Sequence, residues 1–167
     1  LEATGPGYVF DGERLFCALY CNELIARFLP RGDADEQVFV AYESVLEGLR
    51  REAPLEHCLR RFEVTLLQAC GFSMVLEYAV DSDAPIDSRL RYFYLPESGP
   101  VIERPAGACR EISGATLLAL AQQLPWAEDS SREAKHLMRF VIQHHLGGRQ
   151  LHSRTLFKYS TSPDTND

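Results

Sequence analysis

The chain has 167 residues and a formal net charge of −7, with 24 acidic side chains against 17 basic ones. Its apolar fraction of 46% suits one ordinary domain core, and no apolar run approaches the roughly 20 residues of a membrane span. Leu1-Glu2-Ala3 carries no basic stretch, apolar run or cleavage site, so no secretion signal is expected. Five cysteines, an odd number without a C-x-x-C pair, read as reduced packing thiols in a cytoplasmic protein.

The charge is unevenly placed. Residues 131–160 hold Arg132, Lys135, Arg139, Arg149, Arg154 and Lys158 against Glu133 alone, a local +5 that leaves −12 on the remainder. His136, His144, His145 and His152 lie in the same stretch. Such separation points to an anionic partner at one end.

In chain order, residues 1–12 are rich in Gly and Pro and read as a linker. A helix is expected from Glu13 to Leu29, with Leu15, Ala18, Leu19, Asn22, Ile25, Ala26 and Leu29 on one stripe. Phe16, Tyr20, Leu24 and Phe28 make a second stripe, the pattern of a central helix covered on both sides. Pro30, Gly32 and Asp33 end it. Asp35 to Arg51 gives a second helix, with Val38, Tyr42, Val45, Leu46 and Leu49 inward. A third runs from Pro54 to about Cys70, stopped by Gly71, and three helices on short loops imply a bundle.

The middle of the chain is β-like at 74–80 and 90–95, and Pro96-Glu97-Ser98-Gly99 turns into Val101-Ile102. These read as a small hairpin approached through a loose polar segment at 81–87. Helix returns at Ser113, with Leu117, Leu118, Leu120 and Leu124 in its pattern. After Pro125-Trp126, Ser130 and Glu133 form the capping-box signature of a further helix that stops at Gly147-Gly148. A short last helix or turn is expected over roughly Ser153–Tyr159, and 161–167 read as a disordered tail. The fold class is therefore mostly α: a helical bundle over 13–160 with a small β-hairpin insertion.

In the helix from 131 to 146, Ala134, Leu137, Met138, Val141 and Ile142 make the inward stripe. Arg132, Lys135, His136 and Arg139 share another face, where like charges repel by about 0.2–0.5 kcal/mol per pair. A bound polyanion would relieve that repulsion, and so would acids folded in from elsewhere in the chain. Gly147, Gly148 and Arg149, then Ser153 and Arg154, extend the same chemistry. Arg60 and Arg61 are a second candidate, since Arg60 shares a face with Val64 and Leu67. A cation beside an apolar patch suits a peptide carrying acidic and aromatic groups. Internal pairing with Glu56, Glu63 or an acid of the second helix is the alternative for these two arginines.

Little points to catalysis. There is no nucleophile elbow, phosphate-cradling glycine loop or H-E-x-x-H. Asp81, Asp83 and Asp87 alternate as in an EF-hand, but no Glu closes the calcium pattern. Cys17 and Cys21, four apart on one helical face, could hold half a metal site. A thiol or metal enzyme built on Cys17, Cys21, Cys58 and the histidines is the rival reading. His144 and His145 read as a favourable interaction with a helix C-terminus. No cofactor, metal site or catalytic residue is expected.

Three ordered motifs resemble a known family. Leu19-Tyr20-Cys21-Asn22-Glu23-Leu24 resembles the Y-x-N-E-L helix of the bacterial repair protein RecO. The segment Leu59-Arg60-Arg61-Phe62-Glu63-Val64-x-Leu66-Leu67, ending at Gly71-Phe72, resembles its L-R-x-F-E-x-x-L-L helix. Leu146-Gly147-Gly148, with Leu151, Ser153 and Arg154, resembles its C-terminal L-G-x-x-L-x-S-R signature. The resemblance implies the family's C-terminal helical domain, seen without its N-terminal OB-fold barrel, with residues 1–12 as the link from that barrel.

Many relatives insert a four-cysteine zinc module, of which only Cys109 remains here, so the resemblance implies a hairpin standing in without metal. It also implies recombinational DNA repair in the cytoplasm, at the nucleoid. The partners would be single-stranded DNA, the acidic tail of single-strand-binding protein, and RecR, with strand annealing and RecA loading as the outcome. On that footing Arg132, Lys135, Arg139, Arg149, Arg154 and Lys158 are the candidate nucleic-acid-binding residues. Arg60, Arg61, Val64 and Leu67 are the candidates for the tail. A protein-interaction domain that never touches DNA is the remaining alternative.

Overall fold

A computed structural model describes residues 7–29, 35–122 and 128–153. Within these residues the helices are α1 (Gly12–Phe28), α2 (Glu36–Arg50), α3 (Leu55–Ala69), α4 (Gly114–Gln122) and α5 (Glu128–His145). Between α3 and α4 lie the strands β1 (Tyr78–Ala79), β2 (Ala84–Pro85), β3 (Arg91–Leu95), β4 (Gly99–Val101) and β5 (Arg110–Ser113). The architecture is the mostly α bundle with a small β insertion that the hydrophobic pattern predicts.

Helix α3 is the hub, packing against α1, α2 and α5. Its Leu59, Phe62, Leu66 and Leu67 are all buried, giving it apolar contact on more than one side. That central role was expected of α1, whose Leu15 and Leu19 are instead partly exposed. α1 buries Cys17, Ala18, Tyr20, Cys21 and Leu24, so two compact thiols supply part of the inward face that its leucines were expected to form. α2 starts as predicted: the Asp35 carboxylate accepts a hydrogen bond from Val38 N at 2.9 Å, capping a free helical N–H.

The β insertion is larger than one hairpin. β1 pairs with β2, while β3 is the centre of an antiparallel sheet in the order β4-β3-β5. Phe93 lies between Val101 and Glu111, and Tyr92 stands opposite Ile112. Alternation along β3 buries Tyr92 and Tyr94, and Ile112 of β5 joins them in the core. The segment at 81–87, expected to be loose, contains β2 and is tied down by hydrogen bonds from Ile102 N to Asp81 and from Asp87 N to Tyr92. Gly114 follows β5 where a Cβ would lie 2.0 Å from the Asp87 carbonyl oxygen, so any larger residue would force the strand-to-helix turn apart.

α5 packs its Ala134, Leu137, Met138, Val141 and Ile142 stripe against α3, α4 and β5. It ends as expected: Gly147 and Gly148 take the left-handed conformation, at φ 61° and 80°, and return hydrogen bonds to His144 and Gln143. Its start differs, because α5 already begins at Glu128 and Ser130 lies inside the first turn. Pro30, Gly32 and Asp33, Leu124 to Trp126, the helix over Ser153–Tyr159 beyond its first residue, and the tail lie outside the described residues.

Candidate functional site

The residues that carried the three motifs hold the bundle together. Tyr20 Oη on α1 donates to the Glu63 carboxylate on α3 at 2.6 Å, and Arg60 Nη2 lies 2.9 Å from the same oxygen. Glu23 on α1 accepts from His152 N, Ser153 N and Ser153 Oγ at 2.7–2.9 Å, which fastens the end of the described chain to the first helix. Burial alone would raise the Glu23 carboxyl. The Ser153 and His152 hydrogen bonds outweigh it and hold the group below its usual range. Asn22 accepts from Tyr42 on α2. Thus Tyr20, Asn22, Glu23, Glu63 and Ser153 join elements that are far apart in sequence.

The same joint holds the first of the two candidate arginines. Arg60 is 3% exposed and faces inward with Glu63, which is fully buried. The internal-pairing alternative is what the structure shows for Arg60, and Leu67 beside it is core as well. Arg60, Val64 and Leu67 do share a face, but it is turned to the interior. Arg61, the next residue, is exposed and helps to line a cavity of about 620 Å³ between α2 and α3. Val40, Val45, Phe62 and His57 line the same cavity. Sequence reading missed this groove because its apolar residues come mainly from α2.

The cations of the α5 region divide in a similar way. Lys135 Nζ reaches back to Glu56 on α3 at 2.6 Å, and Glu56 also lies 4.0 Å from Arg60. Arg132, Arg139 and Arg149 are exposed, with no described carboxylate in ion-pairing distance. Arg154 and Lys158 lie outside the described residues. Glu133 does not relieve its neighbours on α5. It accepts from Ser113 N, Ser113 Oγ and Thr116 Oγ1, and pairs with Arg91 at 3.0 Å. Burial opposes its charge, yet the Ser113 and Thr116 hydrogen bonds, helped by Arg91, bring its pKa down to about 2. The acid expected to cap α5 instead joins it to the β5–α4 corner.

A second cavity, of about 470 Å³, opens between β5 and the outer side of α5. It is lined by Arg110, His136, Arg139, Phe140, Gln143 and His144, without a carboxylate. The Arg110 guanidinium lies 5.7 Å from the centre of the half-buried Phe140 ring. His144 Nε2 meets Glu97 at 3.0 Å near this edge, and His145 stacks on Phe72. Arg110 was not among the expected site residues. Its signal, the single inward Ile112 in a four-residue strand, is too short for a periodicity argument.

The thiols take the bland role. Cys17 and Cys21 are buried, and burial, aided by nearby Glu56 and Glu13, pushes the Cys17 thiol up to about 11. Burial pushes Cys21 and Cys58 in the same direction, which disfavours the thiolate form of all three. Among the described residues no three His, Cys, Asp or Glu side chains gather as a metal site. No helix among them is long and apolar enough to cross a membrane.

Geometry thus defines a helical domain with an internally paired seam and an edge whose exposed cations meet no described carboxylate. Residues 9–155 match the family described as Recombination protein O C terminal, and the chain belongs to that family. It is 40% identical over 161 residues to a DNA repair protein RecO of Methylococcus capsulatus, covering 96% of this chain and 65% of that relative. It is 39% identical to the protein of that name from Stutzerimonas stutzeri and 38% to that from Pseudomonas aeruginosa, covering 94% of this chain and 66% of each relative. The chain therefore spans just under two thirds of the length of these relatives.

Proposed function

We propose that this chain is the helical part of a recombinational DNA-repair accessory protein that works by binding rather than catalysis, and that it holds single-stranded DNA on the outer edge of α5. The observation that carries the reading is that Arg132, Arg139 and Arg149 are all exposed and the described acids offer them no counter-charge, in a chain of net charge −7. Uncompensated guanidinium groups grip phosphate in a two-pronged way and release condensed counterions. Family membership and the names of the relatives support the DNA-repair assignment. Arg154 and Lys158 continue the basic run in sequence and belong to the same proposal.

The test is a salt titration of single-strand binding. Each lost phosphate contact lowers the slope of log K against log salt by about 0.7, so Arg132→Gln with Arg139→Gln should flatten it by about 1.4. An unchanged slope removes the phosphate role.

The groove between α2 and α3 supports a second binding function. Arg61 beside Val40, Val45 and Phe62 gives a cation at the rim of an apolar floor, the chemistry that suits the acidic, Phe-ended tail of single-strand-binding protein. Titration of such a peptide should show at least tenfold weaker binding to Arg61→Glu. Equal affinity for both proteins would remove the groove from the proposal. Pairing with RecR, strand annealing and RecA loading, in the cytoplasm at the nucleoid, are further proposals that rest on the family alone.

A further inference from the structure

We propose that the pocket between β5 and α5 seats one nucleotide of a single strand, its phosphate between Arg139 and His136 and its base against the guanidinium plane of Arg110. This rests on the DNA-binding reading and adds to it a contact that depends on the base.

The pocket, of about 470 Å³, falls in the size range of small-molecule sites, and its lining combines cations, a ring and an amide with no carboxylate. Of the nearby acids, Glu111 pairs with Arg91 at 2.5 Å, and Glu97 meets His144 at the pocket's edge. Arg139 has no described carboxylate in ion-pairing distance, so a phosphate can reach it without breaking a described ion pair.

Arg110 is held differently. It is exposed, and its guanidinium lies over the Phe140 ring at 5.7 Å, a contact that favours holding the planar cation there with its other side open to a ligand. A flat cation on an aromatic ring is a platform for an unpaired base, because every base has a π-face. A duplex hides those faces inside its stack, so the platform favours a single strand.

Arg132 and Arg139 are seven residues apart on α5, about 10.5 Å at ~1.5 Å rise per residue. The ridge thus continues past the pocket and can meet more than one phosphate of the same strand.

The experiment compares an oligothymidylate strand with an abasic strand of equal length, by fluorescence anisotropy on the 167-residue chain. Arg110→Lys keeps the charge and removes the plane, and its thermal melting should match the wild type because the side chain is exposed. The wild type should prefer the base-bearing strand by about tenfold, the size expected for one stacked base. Arg110→Lys should abolish that preference while leaving abasic binding within about twofold. Arg139→Gln should weaken both strands alike.

A preference that survives Arg110→Lys overturns the nucleotide seat, and so does an equal loss on both strands. A wild type that binds both strands equally, with Arg139→Gln still weakening them, overturns the seat and leaves the phosphate role standing. A wild type that binds neither strand overturns both.

Discussion

The seam between α1, α3 and α5 and the outer edge of α5 are built from the same cations, set in opposite surroundings. In the seam, Arg60 meets Glu63, Tyr20 reaches that same carboxylate, and Lys135 closes on Glu56. At the edge, Arg132 and Arg139 look outward beside a pocket without acids. A tally of charge along the chain counts both regions alike, and only the fold separates cations that fasten the protein from cations left facing solvent.

The sharpest way to break this contrast is Glu63→Gln. It leaves Arg60 buried without its full counter-charge, and removing one partner of a buried pair costs about 3–5 kcal/mol. Urea unfolding should show a loss of that size, whereas Arg139→Gln on the exposed edge should fall within about 0.5 kcal/mol. Arg60→Met combined with Glu63→Gln should recover much of the loss, since no lone charge then remains inside. Equal losses from Glu63→Gln and Arg139→Gln would mean that the edge is as structural as the seam.

The next largest effect belongs to Glu133, which ties α5 to the β5–α4 corner. Its folded pKa of about 2 lies below the usual 4.5, so its stabilisation is complete above pH 4.5 and is lost as pH falls toward 2. With the side chain 27% exposed, the contribution is on the order of 2 kcal/mol. Glu133→Gln should lower stability at pH 7 by about that amount, and the gap between the two proteins should close on acidification through that window. A constant gap from pH 7 to pH 2.5 would show that the loss comes from packing rather than charge.

How much of this could be read beforehand follows the range of the forces. The α5 core stripe was legible because Ala134, Leu137, Met138, Val141 and Ile142 recur at helical spacing, and such periodicity reports the buried face directly. The shared face of Arg60, Val64 and Leu67 was legible too, but spacing does not reveal whether a face meets water or another helix. Glu133 shows a different limit. The Ser130–Glu133 signature is local, while the observed partners Ser113, Thr116 and Arg91 lie 17–42 residues away. The motif residues Tyr20, Glu23, Glu63 and Ser153 identified the family, and the structure shows them at the internal joints, so recognising the family did not locate its binding surface.

Lys135 gives the smallest effect and the finest test of the contrast, because it sits on the basic helix yet belongs to the seam. Its pair with Glu56 is partly exposed, 37% and 34%, so Lys135→Met should cost less than about 1 kcal/mol. The more telling measurement is again the salt slope of single-strand binding. If Glu56 already neutralises Lys135, the substitution should leave the slope unchanged where Arg139→Gln flattens it. Should Lys135→Met flatten it equally, the pair must open when DNA binds, and the cationic edge must reach one turn further into the bundle than the free structure shows.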